Sequence, residues 1–448
     1  MKKTILNIVI LCLLFGSISY AQDEEKKFGI EFSGFVKNDF FYDSRQTVNA
    51  REGHFLLWPT PENIDALGSD INATPNFNFL SIQSRLSGKI TGPDAFGAKT
   101  SGVIEGDFFA QANDNINLFR MRHAFLKLNW SNTELITGQT WNPLFVTGCF
   151  PGTVSFNTGT PLQSFARNPQ IRVTQTLGGI KVMGAILGQR DYTSRGANGI
   201  SSEYLRNAVL PDLHFQVQYE LKNEAAGASF LAGAGIAYKT IVPRIYSQIE
   251  ITAAYDTVDQ NGLVWPVKAV TEKYKVDEKV SGLTAIVFTK LVLKPVTIKL
   301  QYRYGENIAD VLSISGFAVK DVVDPITREQ SYTPIKNKTI WGEIHTNGKK
   351  IQAGLFAGVL KNNGTKEAMS NAGNSIYGLG TQTGTSPGIE SLLRISPRII
   401  FISNKTKIAF EIEYTSAVYG ADYDVNYIAS TTHQVSNTRF LLSTIYSF

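Results

Sequence analysis

Arginine is the residue type whose spacing in this sequence most clearly suggests chemistry. A guanidinium group is planar and binds carboxylate or phosphate through two parallel hydrogen bonds. If the surrounding segments are extended strands, six arginines share one face with two acids, Glu105 and Asp107. The six are Arg85, Arg120, Arg122, Arg172, Arg303 and Arg398. They predict a water-exposed surface that favours anions; the alternative is that these charges are solvated neighbours that pair across strands.

Catalysis and metal binding find little support in the residues. Gly384-Thr385-Ser386-Pro387-Gly388 fits the G-x-S-x-G pattern, but a nucleophile elbow needs a strand before it and a helix after it. Here the pattern lies in a Gly/Thr-rich loop, and the five histidines are scattered along the chain. We therefore predict no catalytic residue, no metal site and no cofactor.

The elements that carry these side chains are predicted to be strands, because apolar and polar residues alternate with a period of two. In 211–222, for example, apolar residues at odd positions oppose polar residues at even ones, and 406–415 repeats the pattern with Glu411 and Glu413 on the polar face. The same parity adds Lys299 and Arg394 to that face. A soluble β-sandwich alternates too, so the alternation alone leaves two folds open.

Strand length and loop length decide between them. Many predicted strands reach 12 residues or more, whereas strands of soluble proteins usually have about 5–6. Short connections such as 130–133 and 177–179 alternate with long ones such as 45–75 and 142–166. Short turns at one rim and long loops at the other are typical of outer-membrane barrels. The predicted fold class is therefore all-β: a transmembrane antiparallel β-barrel.

The number of strands is predicted to be about 16. Seventeen segments alternate, but single-chain bacterial barrels have an even number of strands. The weakest segment is 245–257, which we assign to the long loop 240–277 as an extended hairpin above the rim. Pro397 lies inside a predicted strand in 389–403, where it removes a ladder donor, so we expect a bulge there.

Both ends of the chain suggest export to the outer membrane. Lys2 and Lys3 precede an apolar stretch and Ser19-Tyr20-Ala21, which predicts a signal peptide of residues 1–21, cleaved near Ala21. Residues 22–448 would form the barrel. The terminal Phe448 ends an alternating apolar strand, so we expect the barrel-assembly machinery to recognise it. No later apolar run reaches the length of a spanning helix.

Composition agrees with a barrel in contact with lipid. Charged residues make up 18% of the chain, below the roughly 25% of soluble domains. The formal net charge of +5 is too small to suggest a nucleic acid as partner. The expected partners are outer-membrane lipid and small solutes.

Loop 142–166 contains no charged residue and is rich in Gly, Pro and apolar side chains. A long loop of this composition is unfavourable in water, so we predict that it folds inward and forms the constriction. It would face the arginines without adding carboxylates, and rings of Arg or Lys favour anions.

Several local patterns resemble the DcaP-like trimeric porins in the form found in Bacteroidota. The patterns are Gly34-Phe35-Val36-Lys37-Asn38-Asp39, Ser84-Arg85-Leu86, Glu105-Gly106-Asp107-Phe108, Arg120-Met121-Arg122-His123-Ala124 and Gly138-Gln139-Thr140-Trp141. The resemblance spans roughly 28–448 and is densest before residue 190. It implies a 16-stranded homotrimer that passes small anionic solutes such as dicarboxylates. Only Gln22 to Lys27 precede the first strand, so we expect no N-terminal coiled coil, and barrel walls and loops would hold the trimer.

The predicted function is an outer-membrane porin for passive diffusion of small hydrophilic solutes, with a preference for anions such as small carboxylates. Two alternatives stay open. One is a surface receptor or adhesin whose barrel is plugged, and the other is a barrel hydrolase. For a trimer interface, the candidate outer surfaces are the Gly/Ala stretch Gly227 to Ala237 and the doubly apolar strand 118–130.

Overall fold

Long antiparallel strands make up most of the chain in the computed structural model, which describes residues 29–252 and 255–448. The predicted signal peptide and its cleavage site near Ala21 lie outside the described residues. The strands are, in chain order, β1 (Gly29–Asp43), β2 (Thr47–Ala50), β3 (Phe55–Pro59), β4 (Asn76–Leu80), β5 (Arg85–Thr91), β6 (Lys99–Asp107), β7 (Arg120–Asn129), β8 (Thr133–Trp141), β9 (Arg167–Leu177), β10 (Ile180–Leu187), β11 (Arg195–Gly196), β12 (Gly199–Ile200), β13 (Asp212–Asn223), β14 (Ala228–Ile241), β15 (Tyr246–Thr252), β16 (Tyr255–Val258), β17 (Val264–Val267), β18 (Val270–Lys275), β19 (Val280–Val292), β20 (Val296–Glu306), β21 (Ser315–Asp324), β22 (Glu329–Thr346), β23 (Ile351–Thr365), β24 (Ile376–Leu379), β25 (Gly388–Ser403), β26 (Thr406–Tyr423) and β27 (Ala429–Ser447).

Helical structure is scarce in the part of the chain that the structure describes. It consists of helix α1 (Glu203–Asn207) and two short 3-10 helices, Ile71–Ala73 and Ala309–Val311. No described helix is long and apolar enough to cross a membrane.

Sixteen of the described strands close into a barrel. Around it the order is β1, β5, β6, β7, β8, β9, β10, β13, β14, β19, β20, β22, β23, β25, β26 and β27. The last strand pairs antiparallel with the first, from Phe35 opposite Ser447 to Asp43 opposite Arg439, so the barrel has no free edge. The predicted fold class and the predicted count of 16 are confirmed.

Segment 245–257 is not a barrel strand, as predicted. β15 pairs with β18 and β16 pairs with β17, so this part of the chain forms a hairpin beyond the barrel. The bulge expected at Pro397 is wrong. The register between β25 and β26 is the same before and after it, from Ile395 opposite Tyr414 to Arg398 opposite Glu411; the irregularity lies between Ile389 and Ser391.

The two faces of the barrel wall are reversed relative to a soluble protein. On β26 the apolar Ile408, Phe410 and Ile412 are 43–46% exposed, whereas Glu411 and Glu413 are at most 2% exposed. An apolar outer surface around a polar interior is the arrangement that a barrel needs in lipid, where every backbone polar group is paired within the wall.

Short turns and longer loops alternate around the barrel. The turns are 92–98, 130–132, 178–179, 224–227, 293–295, 347–350 and 404–405; the loops are L1 (44–84), L2 (108–119), L3 (142–166), L4 (188–211), L5 (242–279), L6 (307–328), L7 (366–387) and L8 (424–428). The sequence pattern does not indicate L2 or the turn at 293–295. It predicts a last loop of 420–434, which is too long, because β26 and β27 continue their pairing to Tyr423 opposite Ala429.

Two of the loops pack inside the barrel rather than above it. Nineteen of the 25 residues of L3 are buried, and so is every residue of β3 in L1. Phe55 of L1 contacts Phe156 and Phe165 of L3, with ring centroids 5.2 and 5.3 Å apart. The main apolar core therefore lies within the lumen, between these two loops and the wall.

Candidate functional site

Carboxylates on one side of the barrel hold the backbone of L3. We call this side, formed by β20, β22, β25 and β26, the far wall. The N–H of Gly152 donates to Glu343 Oε2 at 2.5 Å, and the N–H of Val154 donates to Glu411 Oε2 at 2.6 Å. The amide of Asn157 donates to both oxygens of Glu413 at 2.9 Å. An ionised carboxylate is a strong acceptor for such groups.

Cations of the same wall bind L3 carbonyl groups. Lys299 Nζ donates to Phe150 O at 2.9 Å, and Arg394 Nη1 donates to Thr160 O at 2.5 Å. Arg303 donates to Ser164 Oγ at 2.6 Å and to Pro161 O at 3.3 Å. Because L3 carries no charge of its own, the wall supplies every charge in these contacts.

Arg398 lies on the far wall as well. Its Nη2 donates to Glu343 Oε1 at 2.6 Å, and it is buried beneath Gly152 of L3. Arg303 and Arg398, both predicted to line the pore, therefore act as supports of L3. The charged groups of the far wall therefore form hydrogen bonds with L3 or ion pairs with each other.

The opposite side of the lumen holds a second group of charges, on what we call the near wall, formed by β5, β6, β7 and β9. Asp107 lies between two arginines: Arg120 Nε donates to its Oδ1 at 2.8 Å and Arg122 Nη1 to its Oδ2 at 2.7 Å. Arg122 Nε also donates to Glu105 Oε1 at 2.8 Å, and Arg85 Nε lies 3.6 Å from the same oxygen.

A β-bulge in β7 positions Arg122. The register shifts between Glu105, which is opposite His123, and Gly106, which is opposite Met121, so Arg122 is the extra residue of β7. Bulges of this kind redirect side chains. Here the bulge lets Arg122 contact both Glu105 and Asp107 from within a regular barrel wall.

Loop residues complete the near-wall group. Arg167, where L3 joins β9, donates from Nη2 to Asp191 Oδ2 of L4 at 2.6 Å. Burial disfavours ionisation of Asp191, but Arg167 and Arg120 hold the pKa of that carboxyl below its usual range. Arg51 of L1 is fixed by the carbonyls of Phe109 and Ala110 at 2.9 and 3.1 Å.

We name Arg51, Arg85, Arg120, Arg122 and Arg167 the arginine cluster. Its five cations face three carboxylates, those of Glu105, Asp107 and Asp191, which leaves a net charge of +2. Three buried donors of the cluster have no hydrogen-bond partner among the described residues: Arg85 Nε, Arg120 Nη2 and Arg167 Nη1. Buried N–H groups of charged side chains are normally satisfied, so these three donors are exceptions.

Two cavities adjoin the arginine cluster. One, of about 560 Å³, is lined by Arg51, Arg120, Arg190, Asp191 and Tyr192. The other, of about 340 Å³, is lined by Arg85 and Arg122 together with aromatic residues. The aromatic residues are Trp141, Phe145, Phe150, Phe156 and Phe165. Arg120 lines the first cavity and Arg122 lines the second, and both bind Asp107. The ion pairs of Asp107 with these two arginines therefore lie between the two cavities.

The structure thus brings together five of the eight residues predicted to line the pore: Arg85, Arg120, Arg122, Glu105 and Asp107. Arg172 lies apart, beside a cavity of about 190 Å³ that Glu134 and Lys181 also line. Sequence parity missed Arg51, Arg167 and Asp191, because parity assigns residues within strands and these three lie in loops or at a loop end.

No group of three or more His, Cys, Asp or Glu side chains suited to a metal ion occurs among residues 29–252 and 255–448. Ser386, the central residue of the G-x-S-x-G pattern, lies in a tight turn, where its N–H donates to Thr383 O at 3.0 Å.

The closed wall, its apolar outer surface and its polar, loop-filled interior identify the cellular location of the chain. It is an outer-membrane β-barrel. This barrel is similar over nearly its whole length to the outer membrane channel DcaP of Acinetobacter baumannii. The TM-score is 0.64 at 17% identity, and the match covers 95% of this chain and 99% of that one. The resemblance noted in the sequence is therefore confirmed at the level of the fold.

More distant similarities link the outer-membrane barrel to other solved structures. An anion-selective porin from Comamonas acidovorans matches with a TM-score of 0.49 at 11% identity, covering 94% of this chain and 100% of that one. A loop-deletion variant of OmpT, an outer membrane protein of Vibrio cholerae, has the same score and identity, with 94% and 99% covered. No protein-family model and no curated protein matches the chain.

Proposed function

We propose that this barrel is a porin for the passive diffusion of small hydrophilic solutes, and that it prefers small anions such as carboxylates. One observation carries the proposal: the arginine cluster keeps a net charge of +2 and unpartnered N–H donors beside two cavities. The far-wall cations cannot contribute equally, because L3 and neighbouring carboxylates occupy them.

The proposed constriction lies between L3 and the near wall. An anion that enters from the long-loop end would meet Arg51 and Arg120 at the larger cavity, and Arg122 and Arg85 at the smaller one. Each guanidinium offers paired donors that replace water around a carboxylate. Asp107 and Glu105 already bind the guanidinium groups of Arg85, Arg120 and Arg122, which weakens binding of the solute. Weak binding suits conduction, because a site must release what it binds.

The packing of L1 and L3 in the lumen favours a second candidate, a barrel closed by its own loops that acts as a surface receptor. In that case the two cavities would be separate pockets, and no solute would pass Asp107.

A planar bilayer experiment separates the two candidates. Purified protein that inserts and gives steady single-channel currents supports the porin. Stable insertion without current supports the closed receptor. Proteoliposome swelling then tests the solute class, since succinate should enter faster than an uncharged solute of similar size.

We also propose a homotrimer that contacts its copies through the outer surface of β5 to β8. This surface has an apolar depression of about 510 Å³ where small residues, Gly102 and Ala124, adjoin Ile104 and Leu126. Ala124→Phe would fill the depression and should release monomers in native gels, whereas Ile344→Phe on the opposite side of the barrel should not. Trimers that persist in the Ala124 variant would refute this interface.

For assembly, we propose Phe448 as the recognised C-terminal residue. Its ring is 46% exposed, and its backbone pairs with Gly34 of β1, next to the seam where the barrel closes.

A further inference from the structure

Lysines on the outer surface of β22 and β23 form a group that the pore does not use. Lys338 and Lys361 are exposed and lie directly opposite each other in the register of these strands. They face outward, because Asn337, Thr339 and Leu360, their immediate neighbours in sequence, are at most 2% exposed and face inward. Lys336, half-buried, is two residues before Lys338 on the same strand.

The pairing of Lys338 with Lys361 is unfavourable by itself. Directly opposed side chains have their Cβ atoms about 4.5–5.5 Å apart, and like charges at this separation are destabilising. No ion pair of Lys336 or Lys338 occurs among the described residues. Lys361 interacts electrostatically with Glu390, but that carboxylate also accepts a hydrogen bond from Asn362 at 2.9 Å. An anion between the two ammonium groups would relieve the repulsion.

The height of the lysines on the barrel identifies the membrane layer that they face. On β23 the outward residues from Ile351 to Val359 are apolar, and Lys361 follows. Ten residues span about 33 Å along a strand. At a strand tilt of about 40° this corresponds to about 25 Å along the barrel axis. An outer-membrane apolar band is about 25 Å tall. Lys361 therefore lies at the edge of the band at the long-loop end, where lipid headgroups begin.

Tyrosines mark the same level on the neighbouring strand. Tyr304 lies opposite Lys338 in register, and Tyr302, two residues along β20, is 40% exposed. Tyrosine is enriched at the membrane–water interface, so these residues and the lysines occupy one interfacial belt.

This surface is also on the lipid-facing side of the proposed trimer. In the order of the sixteen barrel strands, β22 is eight strands from β7, on the opposite side of the barrel. A trimer formed through β5 to β8 would leave Lys338 and Lys361 in contact with lipid.

We propose that Lys338 and Lys361, with Lys336 beside them, form a binding site for the headgroup phosphate of an outer-leaflet lipid. The phosphate would lie between the two ammonium groups, and the acyl chains would lie along Ile340, Leu355 and Val359 below. The site does not depend on conduction through the lumen.

The test measures binding of bisphosphorylated lipid A, in mixed detergent micelles, to the purified full-length protein. The double variant K338Q/K361Q is compared with K350Q/K405Q, which removes two exposed lysines from the short-turn end. We expect the first variant to lose affinity by about fivefold per lysine, the factor typical of a basic side chain near an anionic lipid surface. The second variant should bind like the natural protein, and K338R/K361R should retain affinity because it keeps both charges.

Two further probes make the outcome decisive. Dephosphorylated lipid A should bind the natural protein and K338Q/K361Q with the same affinity. Millimolar inorganic phosphate should not displace lipid A from the natural protein. Equal affinity of K338Q/K361Q and K350Q/K405Q for lipid A would overturn the proposed site. It would mean that Lys338 and Lys361 are solvated side chains without a bound lipid. Displacement by inorganic phosphate would show a site for free anions instead of a lipid.

Discussion

The backbone N–H of Val154 in L3 donates to Oε2 of Glu411 on β26 at 2.6 Å, inside the barrel. The contact illustrates how the lumen is organised. An uncharged loop uses the charged groups of the far wall as its hydrogen-bond partners. The positive charge that remains available to a solute is then concentrated on the near wall.

Glu411→Gln should loosen L3, because the two backbone N–H groups of Val154 and Ser155 bind both carboxyl oxygens of Glu411, and an amide offers only one acceptor oxygen. We expect the free energy of unfolding to fall by about 1–3 kcal/mol, the usual cost of leaving a buried hydrogen-bonding group without its partner. Urea denaturation in detergent, followed by tryptophan fluorescence, measures this loss. Glu220→Gln, at a half-exposed position on β13, should cost little; equal losses in both variants would contradict the anchoring role.

Arg394→Met should be more damaging than Glu411→Gln. Arg394 is fully buried and binds Leu57 O of L1, Thr160 O of L3 and, at 3.3 Å, Glu413 of the wall. Its removal leaves the buried Glu413 without its cation, and breaking such a pair costs about 3–5 kcal/mol. The same denaturation experiment checks it. The half-exposed Lys181 provides the control, since Lys181→Met should change stability by less than about 1 kcal/mol.

The sequence correctly predicted those features that depend on local periodicity, namely the strands and the residues that face inward. The alternation of 406–415 placed Glu411 and Glu413 inward, and the parity of β5 and β6 placed Arg85 and Glu105 inward. It could not find Asp191 or Arg51, since the course of L4 and L1 depends on packing against Phe109, Phe165 and Trp141. Parity also could not show that Arg303 and Arg120 have different roles. Both face inward, but L3 packs over Arg303, and the path of L3 does not follow from strand parity.

Phe55→Ala should widen the passage between L1 and L3. The ring of Phe55 fills the space between Phe156, Phe165 and Phe109, and truncation of a buried Phe costs about 3–5 kcal/mol. We expect a higher single-channel conductance together with lower stability. Phe410→Ala provides the comparison, because Phe410 faces lipid and its loss should leave conductance unchanged. An unaltered conductance in the Phe55 variant would mean that this aromatic contact does not border the path.

Arg120→Gln should weaken the block of chloride current by succinate. Arg120 lines the larger cavity and has an unpartnered Nη2, so it is placed to bind a carboxylate on entry. Loss of one charge-assisted contact of about 1.5–3 kcal/mol corresponds to roughly 10- to 150-fold weaker block. Arg172→Gln removes an arginine of the separate cavity and should leave the block intact. Similar weakening in both variants would indicate general lumen charge rather than a site.

We propose that the arginine cluster, and not the sum of lumen charges, selects anions. The most direct measurement is the reversal potential of single channels under a KCl gradient, for the natural protein, for R85Q/R120Q/R122Q and for the control K181Q/R172Q. We expect an anion-selective potential in the natural protein and the control, and a shift towards cation selectivity in the triple variant, which loses three of the five cluster cations but keeps Glu105, Asp107 and Asp191. An identical reversal potential in all three proteins would contradict it.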